Sequence, residues 1–245
     1  MRSDIEKAIN LSIKCGEQGS LDWKRQRLGN FTGSQVGRLM KSGRGKDEVF
    51  GKDAISYIDK VGGDRALHPA FVMNDEELEE YLGIVDPSSR IMDWGKKREP
   101  DARGLYEHIT GNTVTLCGAM WVNSLRCFAD SPDGVVIDKD GCIEIKCQMP
   151  STSFHYQRNV TDAESLKAEN PQYYWQCVSH MLVTGAAWCD FIVYCPMQYN
   201  KILGIKPMHV VRLERNEDEI RLLTERILLA EERLTSGQIS SCHSL

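Results

Sequence analysis

The chain has 245 residues and a formal net charge of −5. This length suffices for one α/β domain that buries about 70–75% of its unfolded surface, so stability requires no disulfide or structural metal. Nine cysteines occur without a C-x-x-C pair or a Cys/His cluster at zinc spacing, which argues against a zinc protein and favours a reducing compartment. The amino terminus is charged and no segment has the length of a membrane span, so we expect a cytoplasmic protein without a membrane partner.

Hydrophobic periodicity and turn residues predict a mixture of helices and strands. The predicted helices, in chain order, cover residues 5–15, 34–40, 47–61, 75–82, 94–109, 171–184 and 216–236, with a loop at 62–69. The predicted strands cover residues 113–116, 126–129, 134–137, 142–147, 189–195 and 208–213. Asn216 followed by Glu219 resembles a capping box at the start of the last helix. An apolar stripe on that helix indicates core or subunit packing: Ile220, Leu223, Ile227 and Leu234.

Two of the predicted strands form a β-hairpin that carries three functional side chains. The turn-rich sequence Asp138-Lys139-Asp140-Gly141 separates two β-prone runs. Since side chains alternate between the faces of a strand, Glu144 and Lys146 share one face, whereas Ile145 points into an apolar layer. If the loop has two or four residues and is centred on Lys139-Asp140 or on Asp140-Gly141, cross-strand pairing places Asp133 on the same face as Glu144. We therefore expect the two acids and the lysine to converge.

Two carboxylates beside a lysine suit metal-assisted phosphodiester hydrolysis. Mg²⁺ prefers oxygen ligands and is usually held by one or two carboxylates together with the substrate phosphate. The metal lowers the pKa of a bound water, and a nearby lysine can orient that water or balance charge. An exposed Glu-Lys pair is the ordinary alternative for Glu144 and Lys146. Asp133 on a compatible face favours the metal site.

Four sequence blocks in order resemble the PD-(D/E)XK nuclease superfamily, and specifically its lambda-type exonuclease branch, the YqaJ-like viral recombinases. The hairpin contains the SPDG and EIK sequences of that family. An RLG-x-x-T-x-S motif lies within residues 23–40, a helix with an acidic residue at 94–111 and a Q-helix at 173–185. The ordered set is far more specific than any single block.

The resemblance implies an α/β fold with a PD-(D/E)XK restriction-endonuclease-like core, in which helices flank a central mixed β-sheet. It implies a single nuclease domain over residues 1–245, with a motif-bearing core at about 21–213 and a carboxy-terminal helix at about 216–236. The implied activity is a Mg²⁺-dependent 5′→3′ exonuclease acting on linear double-stranded DNA. Such an enzyme starts at a 5′-phosphorylated end and leaves a 3′ single-stranded tail for recombination by strand annealing.

Lambda-type exonucleases form ring-shaped homotrimers and pass their single strand to a phage annealing protein. The resemblance therefore implies a homotrimer, a single-strand annealing partner, and a phage or prophage protein in the cytoplasm of a bacterial host cell.

The resemblance also implies catalytic roles. Asp133, Glu144 and the backbone carbonyl of Ile145 are expected to hold Mg²⁺ or Mn²⁺, with two ions in all, and Lys146 to position the attacking water. The glutamate that matches Glu99 borders the metal site in this family. Because Pro100 removes a helix hydrogen-bond donor, we expect the helix to start near Glu99 or to kink there.

Four polar residues from three blocks could bind a phosphate through guanidinium, hydroxyl or amide groups: Arg27, Ser34, Ser131 and Gln176. Taken singly, the arginine is typical of a protein surface, and the serines of a helix cap and a turn. The resemblance implies that together they hold the 5′-terminal phosphate of the degraded strand. Tyr173 shares a helix face with Gln176 and is expected to line the site, whereas His180 is expected to be a satisfied core histidine.

The acidic net charge is unevenly distributed. Residues 75–80 and 214–232 hold much of the acid surplus, whereas basic clusters at 24–27, 41–46 and 96–98 lie next to the motifs. We infer a local basic groove on an acidic body, which would admit DNA without binding it indiscriminately.

Two other classes of protein share these motifs. A PD-(D/E)XK endonuclease of restriction or repair type would use the same metal core but would also cut closed circular DNA. A non-catalytic DNA-binding protein with the same fold would normally lack an acid or the lysine, and this sequence retains Asp133, Glu144 and Lys146.

Overall fold

The computed structural model describes residues 17–45, 48–122, 124–196 and 206–239. The helices are α1 (Leu21–Arg27), α2 (Gly33–Val36), α3 (Lys52–Arg65), α4 (Pro69–Val72), α5 (Asp75–Val85), α6 (Arg90–Thr110), α7 (Pro150–Asn159), α8 (Ala163–Glu169), α9 (Pro171–Thr184) and α10 (Glu217–Ile239). The strands are β1 (Phe31–Thr32), β2 (Met120–Val122), β3 (Leu125–Asp130), β4 (Gly134–Val136), β5 (Gly141–Cys147), β6 (Trp188–Tyr194) and β7 (Met208–Glu214). The helix predicted at 5–15 lies outside the described residues.

The strands form two sheets that meet at the motif-bearing segment. One sheet has the order β4-β5-β6-β7, with β5 and β6 parallel and the other neighbours antiparallel. The other has the order β1-β3-β2, in which β1 is parallel to β3. Strand β3 ends at Asp130 and β4 begins at Gly134, so residues 131–133 connect the two sheets directly.

Helices cover both faces of the four-stranded sheet. Helix α9 packs against β5 and β6, and α10 packs against α9, whereas α6 packs against β5 and β7. Adjacent residues of β6 therefore enter different cores: Phe191 packs with the α9 side and Ile192 with the α6 side. All 7 residues of β6 are buried, as expected for a strand covered on both faces.

Several element boundaries differ from the sequence predictions. Residues 113–116 do not form a strand, since only Thr115 makes an isolated bridge, to Val135. The loop predicted at 62–69 is also wrong at its start, because α3 continues through Gly62 to Arg65. A Cβ at Gly62 would lie 3.1 Å from Leu234 Cδ2, so the missing side chain permits close packing of α10 against α3.

Other differences concern short or shifted helices. Helix α3 starts at Lys52 rather than at 47, and α2 ends at Val36 rather than at 40. Helix α5 extends three residues beyond its predicted end, to Val85. Six elements were not predicted: α1, α4, α7, α8, β1 and β2. All of them except α7 have seven residues or fewer, which leaves little hydrophobic periodicity to detect.

Helix α6 runs unbroken past its internal proline. It begins at Arg90, where the Ser89 hydroxyl accepts the Met92 N–H at 3.2 Å, and Pro100 lies inside it. Of the two expectations for Pro100, a helix start near Glu99 is therefore wrong and a kink there stays a prediction; the helix also begins four residues before its predicted start at 94. Pro100 leaves one carbonyl of the preceding turn without its usual donor, but the serine cap starts the helix well before that point.

The capping box predicted for the last helix is half formed. Asn216 Oδ1 accepts the Asp218 N–H at 2.9 Å, as a capping side chain should. Glu219 does not complete the box, because its carboxylate accepts hydrogen bonds from Lys167 Nζ at 2.6 Å and from the Tyr174 hydroxyl. The apolar stripe is confirmed as core, with three residues buried and the last partly buried: Ile220, Leu223, Ile227 and Leu234.

Within the described ranges, no helix is both long enough and apolar enough to cross a membrane.

Candidate active site

The hairpin of β4 and β5 places Asp133 opposite Glu144. Gly134 pairs with Ile143 and Val136 with Gly141, which leaves the four residues 137–140 as the loop. The four-residue length agrees with the prediction, but the loop is centred on Asp138-Lys139, one residue pair earlier than predicted. The chain turns there through a 3-10 turn, which ends at Asp140 in the left-handed conformation (φ 52°). Extending this register by one residue sets Asp133 across from Glu144 on the same face.

Lys146 lies against the acids on that face. Its Nζ is 2.5 Å from Glu144 Oε1 and 4.7 Å from the centre of the Tyr173 ring. Burial alone would lower the pKa of Lys146, but the carboxylates of Glu144 and Asp133 outweigh it and raise that pKa. Lys146 therefore carries a positive charge, and the Tyr173 ring lines the same space.

Asp133 is a buried acid with little positive charge to offset it. Asp133 is 8% exposed, and its Oδ2 accepts the Ile145 N–H at 2.6 Å. Burial, followed by the charges of Glu144 and Glu99, raises the pKa of Asp133 well above its usual range. The neighbouring carboxylates therefore add to the cost of ionising Asp133 in this buried position.

Glu144 is held from two sides. Lys146 contacts one carboxylate oxygen, and His180 Nε2 lies 2.6 Å from the other, Oε2. Burial would raise the pKa of Glu144, but Lys146 and His180 outweigh it and lower the pKa to about 2. Glu144 is thus a fixed, ionised carboxylate at neutral pH.

His180 joins the site to a second buried acid, Asp130. His180 Nδ1 lies 2.8 Å from Asp130 Oδ2, so each ring nitrogen faces a carboxylate. Burial would lower the pKa of His180, but Asp130 and Glu144 together raise it well above its usual range. The predicted satisfied core histidine is confirmed as buried and hydrogen-bonded, yet one of its partners is a predicted catalytic acid.

Sequence reasoning missed Asp130 and gave His180 no role in the site. Two signals were available: His180 lies at i+4 from Gln176 on the Q-helix, and Asp130 directly precedes the SPDG sequence. Neither signal reveals that β3 and α9 bring the two side chains together.

Glu99 approaches the hairpin from α6. Burial, followed by the charge of Glu144, raises the pKa of Glu99, while Arg103, Lys146 and Lys96 oppose that rise. Helix α6 packs against β5, so Glu99 lies within electrostatic reach of Glu144 and Lys146.

Arg27 and Ser131 are linked through a tryptophan. Trp23 Nε1 donates to Ser131 Oγ at 3.0 Å, and the Arg27 guanidinium lies 4.0 Å from the centre of the Trp23 ring. Arg27 Nε is buried without a hydrogen-bond partner among the described residues. Burial lowers the pKa of Arg27, against the opposing influence of Asp130, Tyr57 and Asp86. A partly buried cation and a hydroxyl that contact the same tryptophan are suitable groups for binding an anion.

Ser34 and Gln176 do not contact Arg27 or Ser131 through hydrogen bonds in the described part of the chain. Ser34 is exposed, and its backbone carbonyl accepts a hydrogen bond from Gln172 Nε2 on α9. Gln176 is 8% exposed on the same helix. Helix α2 therefore packs against α9, and this contact brings the two predicted phosphate-binding segments into one region.

A family model described as the YqaJ-like viral recombinase domain matches residues 22–187 of this chain. The chain belongs to this family. The matched range includes the three-stranded sheet, the hairpin of β4 and β5, and helix α9. The predicted family and the predicted α/β fold class are confirmed.

Solved structures resemble this YqaJ-like chain along most of its length. LHK-Exo in complex with dAMP has a TM-score of 0.68 and 25% identity, and the match covers 89% of this chain and 94% of that chain. A second structure, an alkaline exonuclease (LHK-Exo) from Laribacter hongkongensis, has a TM-score of 0.67, 24% identity, and coverages of 92% and 100%.

A phage-related exonuclease from Haemophilus somnus shares the fold at a TM-score of 0.65 and 14% identity, covering 88% of this chain and 96% of that one. No curated protein matches the chain.

The YqaJ-like site has the oxygen donors that a hard divalent cation requires. In the described ranges, no three His, Cys, Asp or Glu side chains already form a metal-binding cluster. The fit comes from chemistry and charge: Asp133 and Glu144 raise the local negative charge, Glu99 adds to it, and each acid is buried or partly buried. A divalent cation would offset both the burial and the carboxylate repulsion that raise the pKa of Asp133.

Proposed function

We propose that this YqaJ-like protein is a Mg²⁺-dependent nuclease that degrades one strand of linear double-stranded DNA in the 5′→3′ direction. It would start at a 5′-phosphorylated end and leave a 3′ single-stranded tail for recombination by strand annealing. The observation that carries this proposal is Arg27, a partly buried cationic group whose Nε is buried without a hydrogen-bond partner among the described residues. Its guanidinium stacks on Trp23, whose indole N–H donates to Ser131, two residues before the acid Asp133.

The anion site would recognise the end of the strand. A terminal phosphate would offset the cost of burying Arg27 and would accept hydrogen bonds from its guanidinium and from the Ser131 hydroxyl. Ser34 and Gln176 would complete this pocket from α2 and α9. An enzyme that binds the terminal phosphate there presents the next phosphodiester to Asp133 and Glu144.

The hairpin would supply the cleavage chemistry. Asp133, Glu144 and the Ile145 carbonyl would hold Mg²⁺ or Mn²⁺, with a second ion shared by Asp133, and Glu99 would border the site. When bound, such ions polarise the phosphoryl oxygen and lower the pKa of water. Lys146, fixed by Glu144 and by the Tyr173 ring, would orient the attacking water.

The remaining parts of the proposal follow from the family. We propose a single domain over residues 1–245 that assembles as a homotrimer ring and passes its product to a single-strand annealing protein. It would act in the cytoplasm of a bacterial host as a phage or prophage protein. The alkaline exonuclease crystallised with dAMP supports mononucleotide release, since dAMP is a mononucleotide.

The decisive experiment compares one plasmid in two forms. We expect the protein with Mg²⁺ to digest the linearised plasmid and to leave the covalently closed circle intact, because the circle offers no 5′ end. Release of acid-soluble nucleotides and gel analysis measure both reactions. Cutting of the closed circle would instead identify an endonuclease, and no digestion of either form would contradict a nuclease function.

Replacing Arg27 by alanine should weaken use of phosphorylated ends. Loss of one charge-assisted hydrogen bond costs about 1.5–3 kcal/mol, which corresponds to roughly 10–150-fold in kcat/KM. The loss should be much smaller on linear duplex with 5′-hydroxyl ends, which lacks the anion. Initial rates on the two substrates at limiting concentration measure the difference.

Arg25→Ala is the matched control for Arg27→Ala. Arg25 lies on the same helix but pairs with Asp22 and Asp75 rather than facing the site. It should therefore retain the preference for phosphorylated ends. Equal losses of Arg27→Ala on the two kinds of end would remove the phosphate pocket from the proposal.

A further inference from the structure

A buried chain of hydrogen bonds leads from the SPDG segment to the metal-site acid. Asp130 Oδ1 accepts the backbone N–H of Ser131 at 2.8 Å, and Oδ2 accepts from Ser179 Oγ at 2.6 Å. His180 then connects Asp130 Oδ2 to Glu144 Oε2, at 2.8 and 2.6 Å. Asp130, His180 and Glu144 are each at most 2% exposed.

The chain fixes the orientation of the imidazole ring. Asp130 sits at the end of β3 and is held by donors from its own segment and from α9, so its carboxylate cannot rotate freely. His180 lies on α9, which packs against β5 and β6. With both ring nitrogens engaged, the ring has one orientation, and Nε2 presents a fixed donor to Glu144.

We propose that His180 is a positioning residue, held by Asp130, that aligns the Glu144 carboxylate for binding of the divalent cation. This inference rests on the proposed metal-dependent function and extends it to residues outside the hairpin. Groups that hydrogen-bond to a metal-ligating carboxylate set its orientation and commonly change metal affinity by about 10–100-fold.

The two partners of Glu144 differ in how firmly they can hold it. Lys146 approaches from the same strand with a long side chain that is 23% exposed, whereas the His180 side chain is fully buried on a packed helix. A lysine alone leaves the glutamate free to turn about its terminal bond, but a second donor on the opposite oxygen prevents that rotation. His180 thus supplies the constraint that Lys146 lacks.

The test measures Mn²⁺ binding to the full chain by electron paramagnetic resonance, in the absence of DNA. His180→Gln keeps one donor but cannot bridge both acids, and Asp130→Asn keeps the size of the side chain while removing its charge. We expect both variants to bind Mn²⁺ about 10–100-fold more weakly than the parent protein. Excess Mn²⁺ should restore much of the cleavage rate, which a purely structural defect would not allow.

Thr184→Val is the matched control. Thr184 lies on the same buried helix and hydrogen-bonds to the His180 carbonyl and the Ala186 N–H, but it does not touch Glu144. This variant should lose stability in thermal unfolding and bind Mn²⁺ as the parent does.

The outcomes separate the inference from the proposed function. The inference is overturned if either variant is folded and binds Mn²⁺ within twofold of the parent, or if neither variant folds, since His180 would then be a structural residue. In both cases the parent protein could still digest linear duplex, which would leave the proposed function standing. Failure of the parent to digest linear duplex, despite binding Mn²⁺, would reject the function itself.

Discussion

Asp133→Asn is expected to lose Mg²⁺-dependent digestion of linear duplex, with turnover at least about 10²–10³-fold lower than in the parent protein. Asparagine retains an oxygen that can accept the Ile145 N–H, so the hairpin should keep its shape. It lacks the negative charge with which Asp133 would bind the cation. Acid-soluble release from a linear plasmid measures the loss.

The same substitution should stabilise the protein in the absence of divalent cations. Burial, together with Glu144 and Glu99, raises the pKa of Asp133 in the folded state. An acid whose folded-state pKa is raised destabilises the fold at any pH above that pKa, and this penalty falls as pH drops through it. A neutral asparagine removes the penalty, so Tm at neutral pH in EDTA should rise.

Asp140→Asn tests whether these effects are specific. Asp140 lies in the loop of the same hairpin with φ 52°, a conformation that asparagine also adopts readily. We expect its activity and cation-free Tm to stay close to those of the parent. Near-parental activity of Asp133→Asn would reject the site assignment, and a lower Tm for that variant in EDTA would contradict the charge argument.

Gly33→Ala should destabilise the fold and disturb the site together. A Cβ at Gly33 would overlap the Asp130 carboxylate, which also bonds to Ser131 and His180. Overpacking of this kind costs about 1–3 kcal/mol. For a protein of this size the loss corresponds to a fall in Tm of roughly 2–12 °C. Thermal unfolding by circular dichroism measures the change.

Gly104→Ala is the control, for which we expect the opposite change in stability. Gly104 lies in α6, and the space that an alanine Cβ would occupy there has no neighbouring atom within 4 Å, so the substitution adds no clash. Alanine in a helix interior should instead stabilise by about 0.5–1 kcal/mol. Gly33→Ala with a Tm equal to or above the parent value would show that Asp130 can move at no cost.

The hairpin was predictable because its geometry is local. Alternation along a strand fixes the shared face of Glu144 and Lys146, and an even loop length adds Asp133 without any tertiary information. The structure shifts the loop centre by one pair, which leaves that parity unchanged. The order of the motifs along the chain likewise identified the family, because it requires only the sequence.

The contacts that complete the site were not predictable because they join distant segments. Trp23 reaches Ser131 across 108 positions, and His180 reaches Asp130 across 50. Each residue alone is typical of a core or surface position, and only the packing of α1 and α9 around the sheets assigns them partners. The strand predicted at 113–116 is wrong for the converse reason, since its local β propensity yields only the single bridge from Thr115 to Val135 of β4.

Under the proposed function, the short link between the two sheets would set a length scale for the reaction. Ser131, on the anion side, and Asp133, on the acid side, are separated by two peptide steps, which span at most about 7 Å. Since a covalent spacer of this kind cannot stretch, under the proposed function it would fix the gap between the anchored end and the scissile bond. The link would thus act as a molecular ruler that measures out the same short piece of DNA at every cycle.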